Sequence, residues 1–250
     1  AQRPSGVEAL VDIAFAGLGF VREAEDGSVA IGAAATVAAL EQARTLLSAP
    51  TRAIIEAADS LGTPTIRNMA TVGGNLCNAS PAGDLCVALL AMDARLSVLG
   101  PEGLREIPIG AFFRGPGLTV LEVDELLTEI RVPGFPEKTA SSFCKLRHHP
   151  MSVDMAVASA ATRITLRDGR CVDAAVSLGA VGPTPLRAGE AEALLVGRRP
   201  REEIFTRAAR ASMEEACPVD DIRGSAGYRR TMVEVLVERS LQTSLRRCSA

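Results

Sequence analysis

Apolar and polar positions alternate or recur along this chain in patterns that divide it into strands and helices. Residues 7–13 and 29–33 read as short strands, with Glu25–Ser28 as the turn before the second. Thr36 is placed as the N-cap of a helix over 37–47, which Pro50 ends. A second helix covers 52–61 and is stopped by Gly62 and Pro64. Residues 85–92 form one unbroken apolar run, the pattern of a helix buried on all sides. A hairpin follows, with strands at 94–99 and 104–107 and Pro101-Glu102-Gly103 at the turn.

Phe112–Leu118 is expected to be a loop, and 125–132 a strand. Pro133-Gly134-Phe135-Pro136 is the best linker candidate, giving an α+β unit over 1–135 and a second over 136–250. In the second unit, 141–146, 157–166 and 172–180 read as three antiparallel strands, with Asp168-Gly169 turning between the last two. The remainder reads as helices over 188–195, 201–215 and 226–245.

Composition narrows the function classes. A net charge of −3 and a pI of about 5.6 give no general electrostatic case for nucleic acid. The basic clusters (Arg198-Arg199 with Arg201, Arg229-Arg230, Arg246-Arg247) lack interleaved aromatics and suit solvated helix ends or subunit contacts. No apolar stretch is long enough for a membrane span, no secretory signal is indicated, and a cytoplasmic location is expected. The six cysteines are scattered without cluster spacing, so they read as reduced thiols. His148 and His149, beside Pro150-Met151, suit a loop at the surface, at a lid or at a subunit contact; no metal site is expected.

The segment from Ile66 to Leu85 carries candidate chemistry. It gathers Thr71, Gly73, Gly74, Asn75, Asn78, Ser80 and Asp84 within twenty residues. Adjacent glycines allow a tight turn that presents bare N–H groups to an anion, and the amides, hydroxyl and carboxylate can orient a ligand. Structure alone would account for a Gly-Gly turn; the whole string favours a ligand site.

These residues also carry a family likeness. Ile66-Arg67-Asn68, Ala70–Asn75, and Ser80-Pro81 with Asp84-Leu85 are joined by Val29–Thr36 upstream. Phe143–Arg147 and Asp154-Met155-Ala156 continue the match downstream. Together they resemble the FAD-binding (medium) subunit of the molybdenum hydroxylases, the group of xanthine dehydrogenase, aldehyde oxidase and aerobic carbon monoxide dehydrogenase.

The resemblance implies the second subdomain of a PCMH-type (vanillyl-alcohol-oxidase-like) FAD-binding domain, followed by a C-terminal three-stranded antiparallel sheet with helices. It implies that Thr71, Val72, Gly73, Gly74 and Asn75 lie against FAD, with Ser80 and Asp84 orienting nearby hydroxyls. Leu61 and Leu121 match positions that pack on the cofactor, and Gly32 and Thr36 lie in a further matching stretch. For Thr36, a helix cap and a cofactor contact are equal alternatives. Lys145 matches a lysine near the flavin ring, where positive charge near N1 and C2 favours the anionic reduced form; a surface lysine at a strand end is the alternative.

No catalytic residue is implied. The chain's role would be to take electrons from the [2Fe–2S] clusters of an iron–sulfur subunit that serves a molybdenum-cofactor subunit. It would pass them to NAD, a quinone or dioxygen, in a dimerised heterotrimer. A four-cysteine insertion seen in some relatives is lacking, so no cluster is expected in this chain. Relatives also carry an earlier glycine-rich loop before the strand that matches Leu10–Ile13. Only nine residues precede Leu10 here, and that subdomain is expected upstream of Ala1; a separate polypeptide, or loss of tight FAD binding, would also account for it. A stand-alone flavin oxidoreductase and a flavin-free scaffold subunit are the rival functions.

Overall fold

A computed structural model describes residues 9–43, 48–147 and 155–248. Strands β1 (Val21–Glu23) and β2 (Val29–Gly32) come first among the described residues. Helices α1 (Val37–Gln42), α2 (Arg52–Ser60), α3 (Pro64–Met69), α4 (Val72–Cys77) and α5 (Asp84–Ala91) follow. Strands β3 (Arg95–Gly100), β4 (Gly103–Pro108), β5 (Phe113–Gly115), β6 (Leu118–Thr119) and β7 (Leu126–Val132) complete the first part. The second part holds β8 (Thr139–Arg147), β9 (Ala156–Arg167), β10 (Arg170–Gly179) and β11 (Leu186–Arg187), then helices α6 (Gly189–Leu195), α7 (Glu202–Glu215) and α8 (Ala226–Cys248).

Two larger antiparallel sheets, one ordered β1-β2-β7-β3-β4 and the other β11-β10-β9-β8, organise these elements, and β5 and β6 pair as a third. Helix α5 lies against β9 and β10, while α2 runs beside β8. Every residue of α5 is buried, which accounts for its unbroken apolar sequence. Ser177 Oγ donates to the Val87 carbonyl at 2.6 Å, tying α5 to the second sheet. Arg163, itself buried, donates to the Ala91 carbonyl and pairs with Asp93 and Asp173, with its guanidinium over the Phe135 ring. On the other side of that sheet, Ser240 and Ser244 of α8 hydrogen-bond Thr162 of β9 at 2.8 and 2.9 Å. Small hydroxyl residues let the helix approach the strands closely.

Several expectations are corrected. Residues 9–13 are not a strand, and residues 7 and 8 lie outside the described residues. The first strand is instead Val21–Glu23, paired with β2. The helix predicted over 37–47 is seen over Val37–Gln42, and 44–47 lie outside the described residues, as do His148 and His149. The three antiparallel strands of the second sheet gain a two-residue fourth, β11. The glycine-rich stretch is not an open loop, since α3 and α4 occupy half of residues 66–85. The Asp168-Gly169 turn is present, with φ of 52° and 72°, the left-handed geometry of a tight hairpin turn.

Candidate functional site

The Thr71–Asn75 segment is a helix start docked on a strand. Thr71 is the N-cap of α4, its Oγ1 accepting the Gly74 N–H at 3.0 Å. The Val72 and Gly73 N–H groups donate to the Ala35 and Ala33 carbonyls at 2.9 and 2.8 Å, and the Asn75 N–H to the Thr71 carbonyl at 3.0 Å. These N–H groups are therefore spent within the fold, which corrects the expectation that the glycines present them bare. A Cβ on Gly73 would lie 2.7 Å from both Cβ and O of Ala33, so the close docking of α4 on the chain after β2 requires glycine there. Gly32 answers a similar need, because a Cβ would meet the Leu18 carbonyl oxygen at 2.1 Å. Thr36 caps α1 by accepting the Ala39 N–H at 3.1 Å, and it bridges to Thr71.

Past α4 the chain turns at Ala79, whose φ of 45° is left-handed, and enters α5 at Asp84. Position one of a helix favours a carboxylate, but this carboxylate is only 4% exposed. Lys145 on β8 reaches it at 2.6 Å, Nζ to Oδ2, with both side chains about 5% exposed. Lys145 also donates to the Ser60 carbonyl at 3.3 Å, and Arg147 donates to the same oxygen at 3.0 Å. Ser60 is the last residue of α2, where carbonyls lack helical partners and the helix dipole attracts cations. Burial pushes the Asp84 carboxyl above its usual range, against the pull of the Lys145 ammonium.

Asp84 Oδ1 is buried and has no hydrogen-bond partner. A buried carboxylate oxygen without a partner is costly, and the Ser60 side chain offsets part of that cost at this carboxyl. Asp84 is among the residues that line a cavity of about 190 Å³, with Leu61, Asn75, Ser80, Lys145 and Met155. A second cavity, of about 450 Å³, adjoins it through Ser80, Ala82 and Met155 and reaches Arg223 and Arg229. Asn75 is fixed at the rim by the Cys86 thiol, 3.6 Å from its side-chain oxygen.

The structure thus brings Leu61, Asn75, Ser80, Asp84 and Lys145 to one cavity. Thr71, Val72, Gly73, Gly74, Gly32, Thr36 and Leu121 do not line it. Leu121 packs on the hydrophobic core after β6. Sequence reasoning missed Gly62, Ala82 and Gly83 in the lining and the Ser60 carbonyl behind Lys145. Only the position of Ser60 at a helix end, before Gly62 and Pro64, could have signalled it.

Among the described residues no group of three or more His, Cys, Asp or Glu side chains is placed to hold a metal, and all six cysteines are free thiols. No helix of the described residues is long and apolar enough to cross a membrane.

Comparison with known proteins gives two family matches. Residues 2–135 match the FAD binding domain in molybdopterin dehydrogenase. Residues 142–244 match the CO dehydrogenase flavoprotein C-terminal domain. The carbon monoxide dehydrogenase medium chain of Afipia carboxidovorans is 35% identical over 236 residues, covering 94% of this chain and 81% of the relative. Subunit alpha of the 6-hydroxypseudooxynicotine dehydrogenase complex of Paenarthrobacter nicotinovorans is 34% identical over 248 residues, covering 98% and 82%. Among solved structures, the reconstituted CO dehydrogenase from Oligotropha carboxidovorans superposes with a TM-score of 0.86 at 33% identity, covering 92% of this chain and 79% of that one.

Proposed function

Since the chain belongs to the FAD-binding subunits of the molybdenum hydroxylase family, we propose that it holds FAD against the Asp84–Lys145 pair and relays electrons within a larger complex. FAD, when bound, accepts electrons and passes them on one or two at a time. The chain's own residues bind and tune it. Asp84 Oδ1 is available as an acceptor when ionised and as a donor when protonated. Lys145 has three N–H groups, of which Asp84 and the Ser60 carbonyl take two. Donor and acceptor side by side in a small open pocket fit the amide-like edge of a flavin ring. The orphaned Asp84 oxygen is the observation that carries this reading.

Lys145 then keeps a positive charge beside the ring, which favours the reduced, negatively charged form. Asn75 and Ser80 orient the cofactor at the rim, and Leu61 covers an apolar side. Thr71, Val72, Gly73 and Gly74 act on it by holding α4 in place, with Gly32 and Thr36 behind them and Leu121 packed beneath. The division between a FAD-binding unit and a C-terminal unit falls near residues 135 and 136. Electrons come from the [2Fe–2S] clusters of a partner subunit working with a molybdenum-cofactor subunit, in a dimerised heterotrimer in the cytoplasm. NAD, a quinone or dioxygen takes them away.

Coexpression of the full gene product with its iron–sulfur and molybdenum partners tests this reading. The purified complex is expected to show oxidised-flavin absorbance and to release FAD on denaturation. A complex with iron and molybdenum but no flavin would overturn it.

A further inference from the structure

Strand β8 is the outer strand of its sheet, so the N–H and carbonyl groups on its free side need partners. Helix α2 lies along that side. The Ala53 N–H donates to Ser141 Oγ at 2.9 Å. Glu56 Oε2 accepts the Phe143 N–H at 2.7 Å. The Ser60 carbonyl accepts from Lys145 and Arg147. Residues 141, 143 and 145 of the strand thus meet successive turns of one helix, and 147 joins 145 at the last of them. The repeats nearly match, at about 6.7 Å per residue pair in a strand and 5.4 Å per helical turn.

A third element closes this contact. Arg247, near the end of α8, pairs with Glu56 Oε1 and donates to the Ser141 carbonyl at 2.6 Å. Glu56, Phe143, Ser141 and Arg247 therefore form a ring of contacts joining α2, β8 and α8. Phe143 stands two residues before Lys145, and its side chain enters the core beneath α2. The register that the ring sets is the register at which Lys145 meets Asp84.

We propose that Glu56, held by Arg247, is a positioning residue for Lys145: it fixes β8 against α2 so that the ammonium stands at the Asp84 carboxylate. Neither Glu56 nor Arg247 lines the Asp84–Lys145 cavity, so their effect passes through the strand. The consequence for the cofactor rests on the flavin reading above; the consequence for Lys145 does not.

The test uses the full chain in its complex, comparing wild type with Glu56→Ala, Lys145→Met and the double variant. Two readouts are taken: the rate at which an amine-reactive reagent labels Lys145, followed by peptide mass spectrometry, and the midpoint potential of the bound flavin. Glu56→Ala is expected to raise Lys145 labelling several-fold. It should also move the potential in the same direction as Lys145→Met, and the double variant should move no further than Lys145→Met alone. Unchanged labelling and potential, with only a lower melting temperature, would reduce Glu56 to a structural role and overturn the proposal. Additive shifts would do the same. Should Glu56→Ala not fold, Glu56→Gln removes the charge that holds Arg247, and Arg247→Lys removes the guanidinium fork that spans Glu56 and the Ser141 carbonyl. Either is then expected to raise the labelling and shift the potential, and wild-type values in both would overturn the proposal. If the wild-type complex lacks flavin, the flavin reading fails while the labelling still decides the role of Glu56.

Discussion

Two ion pairs of similar length behave as opposites. Arg105 and Glu125 meet at 2.5 Å on the surface, and both carboxylate oxygens are used. Oε1 takes the Arg105 Nε–H, and Oε2 takes an Nη2–H at 2.7 Å and the Glu122 N–H at 2.9 Å. Lys145 and Asp84 meet at 2.6 Å out of solvent, and one oxygen is left over. A closed pair whose guanidinium reaches solvent holds a loop and is partly screened by salt. An open pair in the interior keeps a donor and an acceptor for something else. The closed pair therefore has its polar groups spent, and the open pair does not.

The largest expected effect follows from removing Asp84. Asp84→Ala leaves the Lys145 ammonium buried beside the Ser60 carbonyl alone, and breaking a buried pair on one side costs about 3–5 kcal/mol. Urea unfolding of the variant should show that loss, and flavin content should fall with it. Asp84→Asn separates the two consequences, because it keeps the side-chain volume and an acceptor. It is expected to fold better than Asp84→Ala while still holding flavin weakly. Wild-type flavin content in Asp84→Asn would remove the carboxylate from the binding site.

A middling effect is expected at Gly73. Alanine there presses on Ala33 backbone and side chain, and overpacking of this kind costs about 1–3 kcal/mol. Gly74→Ala meets only the Thr71 hydroxyl at 2.8 Å, at an exposed position, and should cost less. Thermal melts of the two variants check the ranking. The opposite order would remove the close approach to Ala33 as the reason for glycine at position 73.

What was legible in the sequence follows the same division. The apolar run of α5, the hairpin of β3 and β4, and the three long strands of the second sheet announce themselves by periodicity. Helices α3 and α4 do not. Proline, glycine and asparagine argue locally for a loop, while the carbonyls of Ala33 and Ala35 and the caps at Thr63 and Thr71 decide for helix. In the site, Asp84 stood out within a dense polar string. Lys145, 61 residues away, was visible only through family likeness. The Ser60 carbonyl is backbone, and no side chain in the sequence signals it.

The smallest effect is a difference of slope with pH. Hydrogen bonds from Arg105, and then from the Glu122 N–H, hold the Glu125 carboxyl down at about 2. An unfolded glutamate titrates near roughly 4.3. Glu125 therefore adds stability above that value, and the contribution is lost as pH falls towards about 2. Asp84 runs the other way. Burial raises its carboxyl, so its contribution is fully present below the ordinary aspartate range and is lost as pH rises through the raised value. Urea midpoints measured across the acid range should therefore diverge. The difference between wild type and Glu125→Gln grows as pH rises from the acid end, while that between wild type and Asp84→Asn shrinks. Parallel slopes would mean that the Lys145 ammonium outweighs burial at Asp84, and the contrast between an open interior pair and a closed surface pair would then fail on its electrostatic side.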